Sequence, residues 1–264
     1  MKSGTRCKME SIKRIAKEQL KLNEASENKS PLRMKGVVVE FVGPTGSGKT
    51  TNCLYFSKLL KDNGLEVYVF SDLKKYLYSL KYHKKILILL KTLFYYSHHF
   101  LRFSVTLAYH GIFSFNSIIR YIKLCIFNMG LQHFLINRNV DVIIIDQWII
   151  QGLWSATIFK LKSCERIQYA LQQFYFKSNI VLYFDIDAAT ASERIGSRES
   201  QQSRFDKMDP AKRIAESEKY NAYLFQLYEN SNCQHKFKYS TKESPAKNAE
   251  YFLDQFKHIV NLEH

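Results

Sequence analysis

The chain of 264 residues is 46% hydrophobic and 24% charged, which suits one α/β domain or one domain with an insertion. Its five cysteines are odd in number and none has CxxC spacing, which argues against a disulfide framework or a zinc site and favours reduced thiols in the cytoplasm. The net charge is +15, and residues 73–140 hold ten Lys or Arg and five of the eight histidines but no Asp or Glu. This basic and apolar stretch indicates either packed helices with basic outer faces or a surface for an anionic substrate, a membrane or nucleic acid.

The two ends of the chain are predicted to lie outside the folded domain. Residues 1–35 are expected to form an appendage, with a short amphipathic helix and a polar linker. Residues 262–264 match the start of an expression tag. A transmembrane helix is not expected, because the longest uncharged run, Phe103–Ile119, has 17 residues and a span needs about 20 apolar ones.

An apolar run, Val37–Val42, predicts a buried strand that leads directly into Gly43-Pro-Thr-Gly-Ser-Gly-Lys-Thr50. These eight residues match the phosphate-binding pattern G-x-x-x-x-G-K-[ST] at every fixed position. Glycines let the backbone amides approach phosphate closely, and a helix that begins near Lys49 adds its positive end. The residues predicted to bind nucleotide are Gly43, Pro44, Thr45, Gly46, Ser47, Gly48, Lys49, Thr50 and Thr51.

The rest of the chain alternates predicted strands and helices, which favours a mainly parallel sheet covered on both faces. The first helix is expected to end at Asn63, with Gly64 as its cap. Asp187 and Asp209-Pro210 are predicted to begin two later helices, and Ser244-Pro245 is predicted to begin the last. The remaining predicted strands are Glu66–Phe70, Asp141–Asp146, Ile180–Phe184 and Phe237–Ser240.

The segment from Tyr183 to Arg198, YFDIDAATASERIGSR, is followed by Ser203-Arg-Phe-Asp206. It resembles the strand, helix and lid of thymidylate kinases and of related nucleoside-monophosphate and deoxynucleoside kinases. The resemblance covers about residues 36–80 and 139–260, and the Ser240–Pro245 loop is similar to the one that packs beside adenine in that family. It implies a three-layer P-loop NTPase fold with a five-stranded sheet. The kinase domain would span residues 36–261, with a helical insertion at 73–138 and a lid at 196–208.

The resemblance and the loop pattern together predict ATP and Mg²⁺ as cofactors, with Thr50 and Asp146 holding the metal. Asp72 ends a predicted strand and is expected to accept the acceptor's proton, or else to cap the next helix. The predicted catalytic residues are Lys49, Asp72, Asp146, Arg194, Arg198 and Arg204. The three arginines would stabilise charge on the transferred phosphoryl group, and Arg194 and Arg198 are spaced to share a helix face.

The sequence departs from this family where the acceptor binds. The third strand ends in Asp146-Gln147 rather than Asp-Arg, Thr45 replaces an Asp common in the loop of thymidylate kinases, and Ser71–Leu73 replaces Arg-Glu-Pro. The acceptor therefore stays open, and an anionic small molecule is expected. Candidate contacts within the insertion are His98, His99, Arg102, His110 and Arg120, with Tyr95, Tyr96 and Phe100 as stacking or core residues.

Three functions fit these observations. The leading one is a cytoplasmic small-molecule kinase that acts on a nucleoside, nucleotide or related acceptor, with a homodimer as a possible state. The second is a kinase for a sugar, glycan or lipid-linked head group at a membrane surface. The third is a nucleotide-gated binding module, for which nucleic acid is a poor candidate partner because the chain carries none of the recognised motifs. Glu40, inside the first strand, is expected to meet a cation or hydrogen-bond donors, with no assigned role.

Overall fold

The computed structural model describes residues 36–109, 114–157, 178–197 and 204–260. The strands are β1 Val37–Val42, β2 Val67–Val69, β3 Val142–Ile145, β4 Ile180–Asp185 and β5 His235–Ser240. The helices are α1 Lys49–Asp62, α2 Phe70–Ser79, α3 Tyr82–Tyr109, α4 Phe115–Asn137, α5 Ile149–Thr157, α6 Ala188–Gly196, α7 Pro210–Glu229 and α8 Pro245–Val260. A 3₁₀ helix spans Arg204–Lys207. Across these ranges, no helix combines the length and apolar character that crossing a membrane requires.

The five strands form one sheet in the order β2-β3-β1-β4-β5, and each described pair is parallel. The predicted α/β fold is confirmed, with every strand of this sheet parallel. β1 lies at the centre, with Val39 paired to Ile144 on one side and to Ile180 on the other. The loop that follows β1 therefore opens at the carboxyl edge of the sheet, between the ends of β3 and β4, where ligands bind in such folds.

Alternate residues of the central strands face two separate hydrophobic cores, as the two-residue period of a strand requires. Val38 and Val42 pack with the insertion helices and with α5 and α7, whereas Val39 and Phe41 pack under α1 and α8. On the second face, the rings of Phe56 in α1 and Phe252 in α8 stack with centroids 4.8 Å apart. Helices thus cover both faces of the sheet.

The second predicted strand was too long. It spans Val67–Val69 rather than Glu66–Phe70, and Asp72 lies in the first turn of α2 rather than at a strand end. The Asp72 carboxylate accepts a hydrogen bond of 3.0 Å from the backbone N–H of Val69, which satisfies a donor at the start of the helix. This contact favours helix in place of further strand.

The predicted helix starts at Asp187 and Asp209 are confirmed. Each carboxylate accepts a hydrogen bond from a backbone N–H three residues later, at 2.8 and 2.9 Å. The first of these helices was predicted to reach Arg198 but ends at Gly196. The appendage at 1–35, the tag-like residues 262–264 and residues 198–203 of the predicted lid lie outside the described residues.

Within the described residues, the segment between β2 and β3 forms three helices, α2, α3 and α4, where a helical insertion was expected. Their inner faces join the core on the β3 side of the sheet. Tyr96 is part of that core: it is buried, and its hydroxyl donates to Asn128 Oδ1 at 2.8 Å. Tyr96 is therefore a core residue rather than a stacking residue, and Phe100 packs against the same core.

Candidate nucleotide-binding site

The Gly43–Gly48 loop between β1 and α1 depends on glycine for its shape. Gly46 and Gly48 have φ angles of 91° and 76°, which side-chain-bearing residues rarely adopt. A Cβ on Gly46 would lie 2.8 Å from the carbonyl oxygen of Ala191 in α6, and a Cβ on Gly43 would lie 2.7 Å from that of Phe184 in β4. The loop therefore packs as bare backbone against two neighbouring elements.

The first turn of α1 is arranged to attract an anion. Within the described residues, no side chain caps this turn, and the turn contains no acidic residue. The N–H groups of this turn lie at the positive end of the helix dipole, beside the loop. This arrangement is that of a phosphate site at a helix N-terminus.

Lys49 adds a full positive charge to the same place. The side chain is buried, and its ammonium donates to the carbonyl oxygens of Gly43 at 2.7 Å and Pro44 at 2.8 Å. Three donors on one nitrogen allow these bonds to be exchanged for phosphate oxygens without moving the backbone. The ammonium therefore lies against the backbone of the loop, and its role toward a phosphate stays a prediction.

Thr50 and Asp146 come together across the sheet edge. The Thr50 hydroxyl donates to Asp146 Oδ2 at 3.0 Å, although the two residues are 96 apart in sequence. They meet because β3, which leads to Asp146, pairs directly with β1. A hydroxyl and a carboxylate are hard oxygen donors of the kind that Mg²⁺ takes, usually together with waters and phosphates. The donor set therefore fits the predicted metal.

A cavity of about 290 Å³ adjoins the loop. Its lining combines the loop and α1 with α6 and the segment after β5, as follows: Gly46, Ser47, Gly48, Thr51, Asn52, Arg194, Thr241, Glu243 and Pro245. The Arg194 guanidinium donates to the carbonyl of Thr241 at 3.1 Å and so joins the two sides of the cavity. The loop after β5, which the resemblance placed beside adenine, thus faces the phosphate loop across one cavity.

Arg198 and the side chain of Arg204 are outside the part of the chain that the structure describes, and Arg204 begins the 3₁₀ helix. Asp72 is half-buried and uses one carboxylate oxygen to cap α2. The catalytic roles of these residues stay predictions.

Arg213 was not anticipated from the sequence. It is buried in α7 and donates to three backbone carbonyls, of Ser192 at 2.8 Å, Phe205 at 3.0 Å and Met208 at 2.8 Å. These bonds tie the 3₁₀ helix that ends the lid segment to α6, which carries Arg194. Arg213 lies at helical spacing from the buried residues Ser217, Tyr220 and Leu224, which places it on the inner face of α7. This spacing is the feature of the sequence that could have indicated its buried position.

Gln151 was also missed. It is buried near the start of α5, and its side-chain oxygen accepts from the backbone N–H of Gly43 at 3.3 Å. The partners are 108 residues apart, and no local pattern in the sequence marks the contact. Gln151 therefore helps to hold the first glycine of the phosphate loop.

Glu40 meets hydrogen-bond donors, as expected for a buried carboxylate. It accepts from the backbone N–H of Ile150 and from the hydroxyl of Ser178, both at 2.8 Å. Burial raises the pKa of Glu40 from 4.5 to about 7, although these hydrogen bonds act in the opposite direction. The residue joins β1 to the first turn of α5, directly behind the phosphate loop.

The residues of the insertion that were predicted to contact an acceptor differ in their exposure and in their contacts. The Arg120 guanidinium is exposed and donates to the backbone carbonyl of Ser155 at 3.2 Å. Burial, with His98 and Arg102 nearby, lowers the pKa of His99. His98, Arg102 and Tyr95 are exposed, and His110 lies outside the described residues. Their predicted roles toward an acceptor are untested.

The parallel sheet, the glycine loop after its central strand and the Thr50–Asp146 pair define the chain as a protein of the P-loop α/β fold. Comparison with solved structures finds a similarity to a structure described as deoxyadenosine kinase from M. mycoides with bound dCTP. The TM-score is 0.47 at 13% sequence identity, over 84% of this chain and 100% of that chain. Neither a family model nor a curated protein matches the sequence. So distant a similarity carries no argument about function, and it gives no support to a thymidylate kinase in particular.

Proposed function

We propose that this protein is an ATP- and Mg²⁺-dependent phosphotransferase that acts on a small molecule. The observation that carries the proposal is the convergence of Lys49 with the Thr50–Asp146 pair beside the glycine loop. A cation, a hydroxyl and a carboxylate at the carboxyl edge of a parallel sheet are what triphosphate binding with a metal requires.

The donor half of the reaction follows from the loop. The backbone N–H groups of Gly43–Gly48 and the first turn of α1 bind the phosphates, and Lys49 exchanges its two carbonyl partners for phosphate oxygens. Thr50 and Asp146 would hold the metal, which when bound neutralises charge on the β- and γ-phosphates. Gln151 holds the loop through the N–H of Gly43, and Glu40 ties β1 to the first turn of α5.

Arginines of α6 and of the proposed lid would supply positive charge to the phosphates from the side away from the Gly43–Gly48 loop. Arg194 lines the cavity beside the phosphate loop and is held there through the Thr241 carbonyl, which makes it a proposed cation for the phosphates. Arg198 and Arg204 belong to the proposed lid, whose closure would exclude water as a competing acceptor. Arg213 fixes the base of that lid and thereby acts as a positioning residue.

A nucleoside, a nucleotide or a related small molecule is the proposed acceptor, on the resemblance of residues 183–198 to nucleoside and nucleotide kinases. Asp72 is the proposed proton acceptor, with its second carboxylate oxygen available for that role. The exposed Gln147 occupies the position of the arginine that contacts the acceptor in that family. The preferred acceptor is therefore expected to differ from thymidylate.

The test is a transfer assay with γ-labelled ATP against nucleosides, nucleotides, sugars and lipid-linked head groups. Wild-type protein should label at least one class, and Lys49→Ala should label none. The matched control is Lys61→Ala, which removes an exposed lysine from the last turn of the same helix and should keep full activity. Hydrolysis of ATP with no labelled acceptor would overturn the kinase proposal in favour of a nucleotide-gated module.

A further inference from the structure

Helix α3 presents an apolar face to solvent. Leu90, Phe94 and Leu101 are 57%, 79% and 64% exposed, which is far more than residues of this type show in a packed core. Ile86, Leu87, Leu93 and Val105 are also exposed on this helix. Scattered single apolar residues are ordinary on a protein surface, but a continuous set of this size marks an interaction site.

The exposed residues share one side of the helix. Leu87, Phe94 and Leu101 are seven residues apart, so they lie in line, and Leu90 and Val105 lie close to that line. The core-facing residues Ile88, Thr92, Tyr96 and Phe103 occupy the opposite side and are buried. The outer stripe is therefore a second apolar face, distinct from the one that attaches α3 to the domain.

Positive charges border this stripe. Lys84, Lys91 and Arg102 are exposed on its flank, and residues 73–140 contain no Asp or Glu. An apolar stripe edged by Lys and Arg is the pattern of a helix that lies in the plane of a membrane surface. The cations meet lipid phosphates there, while the apolar side chains enter the boundary between head groups and acyl chains.

A second copy of the chain is a poorer occupant of this face. Pairing α3 with itself would place its lysines near those of the partner, with no acidic residue in residues 73–140 to compensate. An anionic lipid surface satisfies both the apolar stripe and its basic flank. We propose that the outer face of α3 docks the protein onto membranes that contain anionic lipids. This proposal does not depend on the phosphotransferase activity.

The test is co-sedimentation with vesicles of phosphatidylcholine alone or mixed with phosphatidylglycerol. Wild-type protein should bind the mixed vesicles, and binding should fall as salt is raised. The variant Leu90→Ser/Phe94→Ser/Leu101→Ser should bind at least about tenfold more weakly, because three side chains no longer enter the lipid. Lys84→Gln/Lys91→Gln should also weaken binding to the mixed vesicles.

A matched control replaces exposed apolar residues elsewhere. Leu54→Ser/Tyr55→Ser alters two side chains of α1 that are 62% and 48% exposed, and it should bind vesicles as wild type does. Thermal unfolding should show that every variant is folded. Equal binding by the α3 variant and wild type would overturn the proposal, as would no binding of wild type to mixed vesicles. A wild-type dimer that becomes monomeric in the α3 variant, with no loss of vesicle binding, would assign the face to a second copy.

Discussion

Glu40→Gln should change how the stability of the protein depends on pH. Glu40 lies in β1, fully buried, and its carboxylate accepts hydrogen bonds from the Ile150 backbone and the Ser178 hydroxyl. Burial raises its pKa from 4.5 to about 7. At 1.36 kcal/mol for each pKa unit, that difference corresponds to about 3 kcal/mol of folding free energy.

The sign follows from proton linkage. Because the folded protein holds the Glu40 proton more tightly than the unfolded chain does, the stabilisation is fully present below about pH 4.5. It is lost as the pH rises through about 7, where the buried carboxyl ionises. The glutamine variant has no proton to lose, and its amide oxygen can still accept from Ile150 while Ser178 reverses its hydroxyl.

The assay is urea unfolding of wild type and Glu40→Gln at a series of pH values. The two proteins should be similar in stability near pH 5, and the variant should become more stable than wild type by up to about 3 kcal/mol near pH 8. Glu66→Gln, which removes an exposed carboxylate, should follow the wild-type curve. A difference between wild type and Glu40→Gln that stays constant with pH would refute the raised pKa.

Three further substitutions test the packing around the site. Gly46→Ala should abolish ATP binding and lower the melting temperature, since its φ of 91° and the nearby Ala191 carbonyl leave no room for a Cβ; normal binding would contradict the loop geometry. Arg213→Met should lower the free energy of unfolding by about 3 kcal/mol, because three backbone carbonyls, two of them in buried hydrogen bonds, lose their donor; a loss under about 1 kcal/mol in urea unfolding would contradict this. Asp209→Ala should cost about 1 kcal/mol through the uncapped Lys212 N–H, and unchanged stability would count against the cap.

Features that depend on short stretches of sequence were predictable. Val37–Val42 is uniformly apolar and leads into a glycine loop, so the strand, the turn and the following helix all followed from neighbouring residues. The start of α7 at Asp209-Pro210 was equally local, because the carboxylate caps the helix and proline suits its first position. The parallel direction of the strands followed from the alternation of strands and helices, whereas their order in the sheet was not predicted.

Features that depend on distant contacts were not predictable in the same way. Gln151 contacts Gly43, and Ser178 contacts Glu40, across more than 100 residues in each case. Asp72 was misplaced because β2 has only three residues, too few to show a period, and a capping contact decides where the strand ends. Side-chain hydrogen bonds of this kind are fixed by the packed fold rather than by local propensity.

The most direct test of nucleotide binding is a calorimetric titration of ATP into the protein with and without Mg²⁺. Wild type should bind ATP saturably and more tightly when Mg²⁺ is present, Asp146→Asn should lose the effect of Mg²⁺, and Lys49→Ala should bind at least about tenfold more weakly. Failure of wild type to bind ATP with Mg²⁺, or unchanged affinity in Lys49→Ala, would contradict the assignment of the Gly43–Thr50 loop as the site that grips a triphosphate.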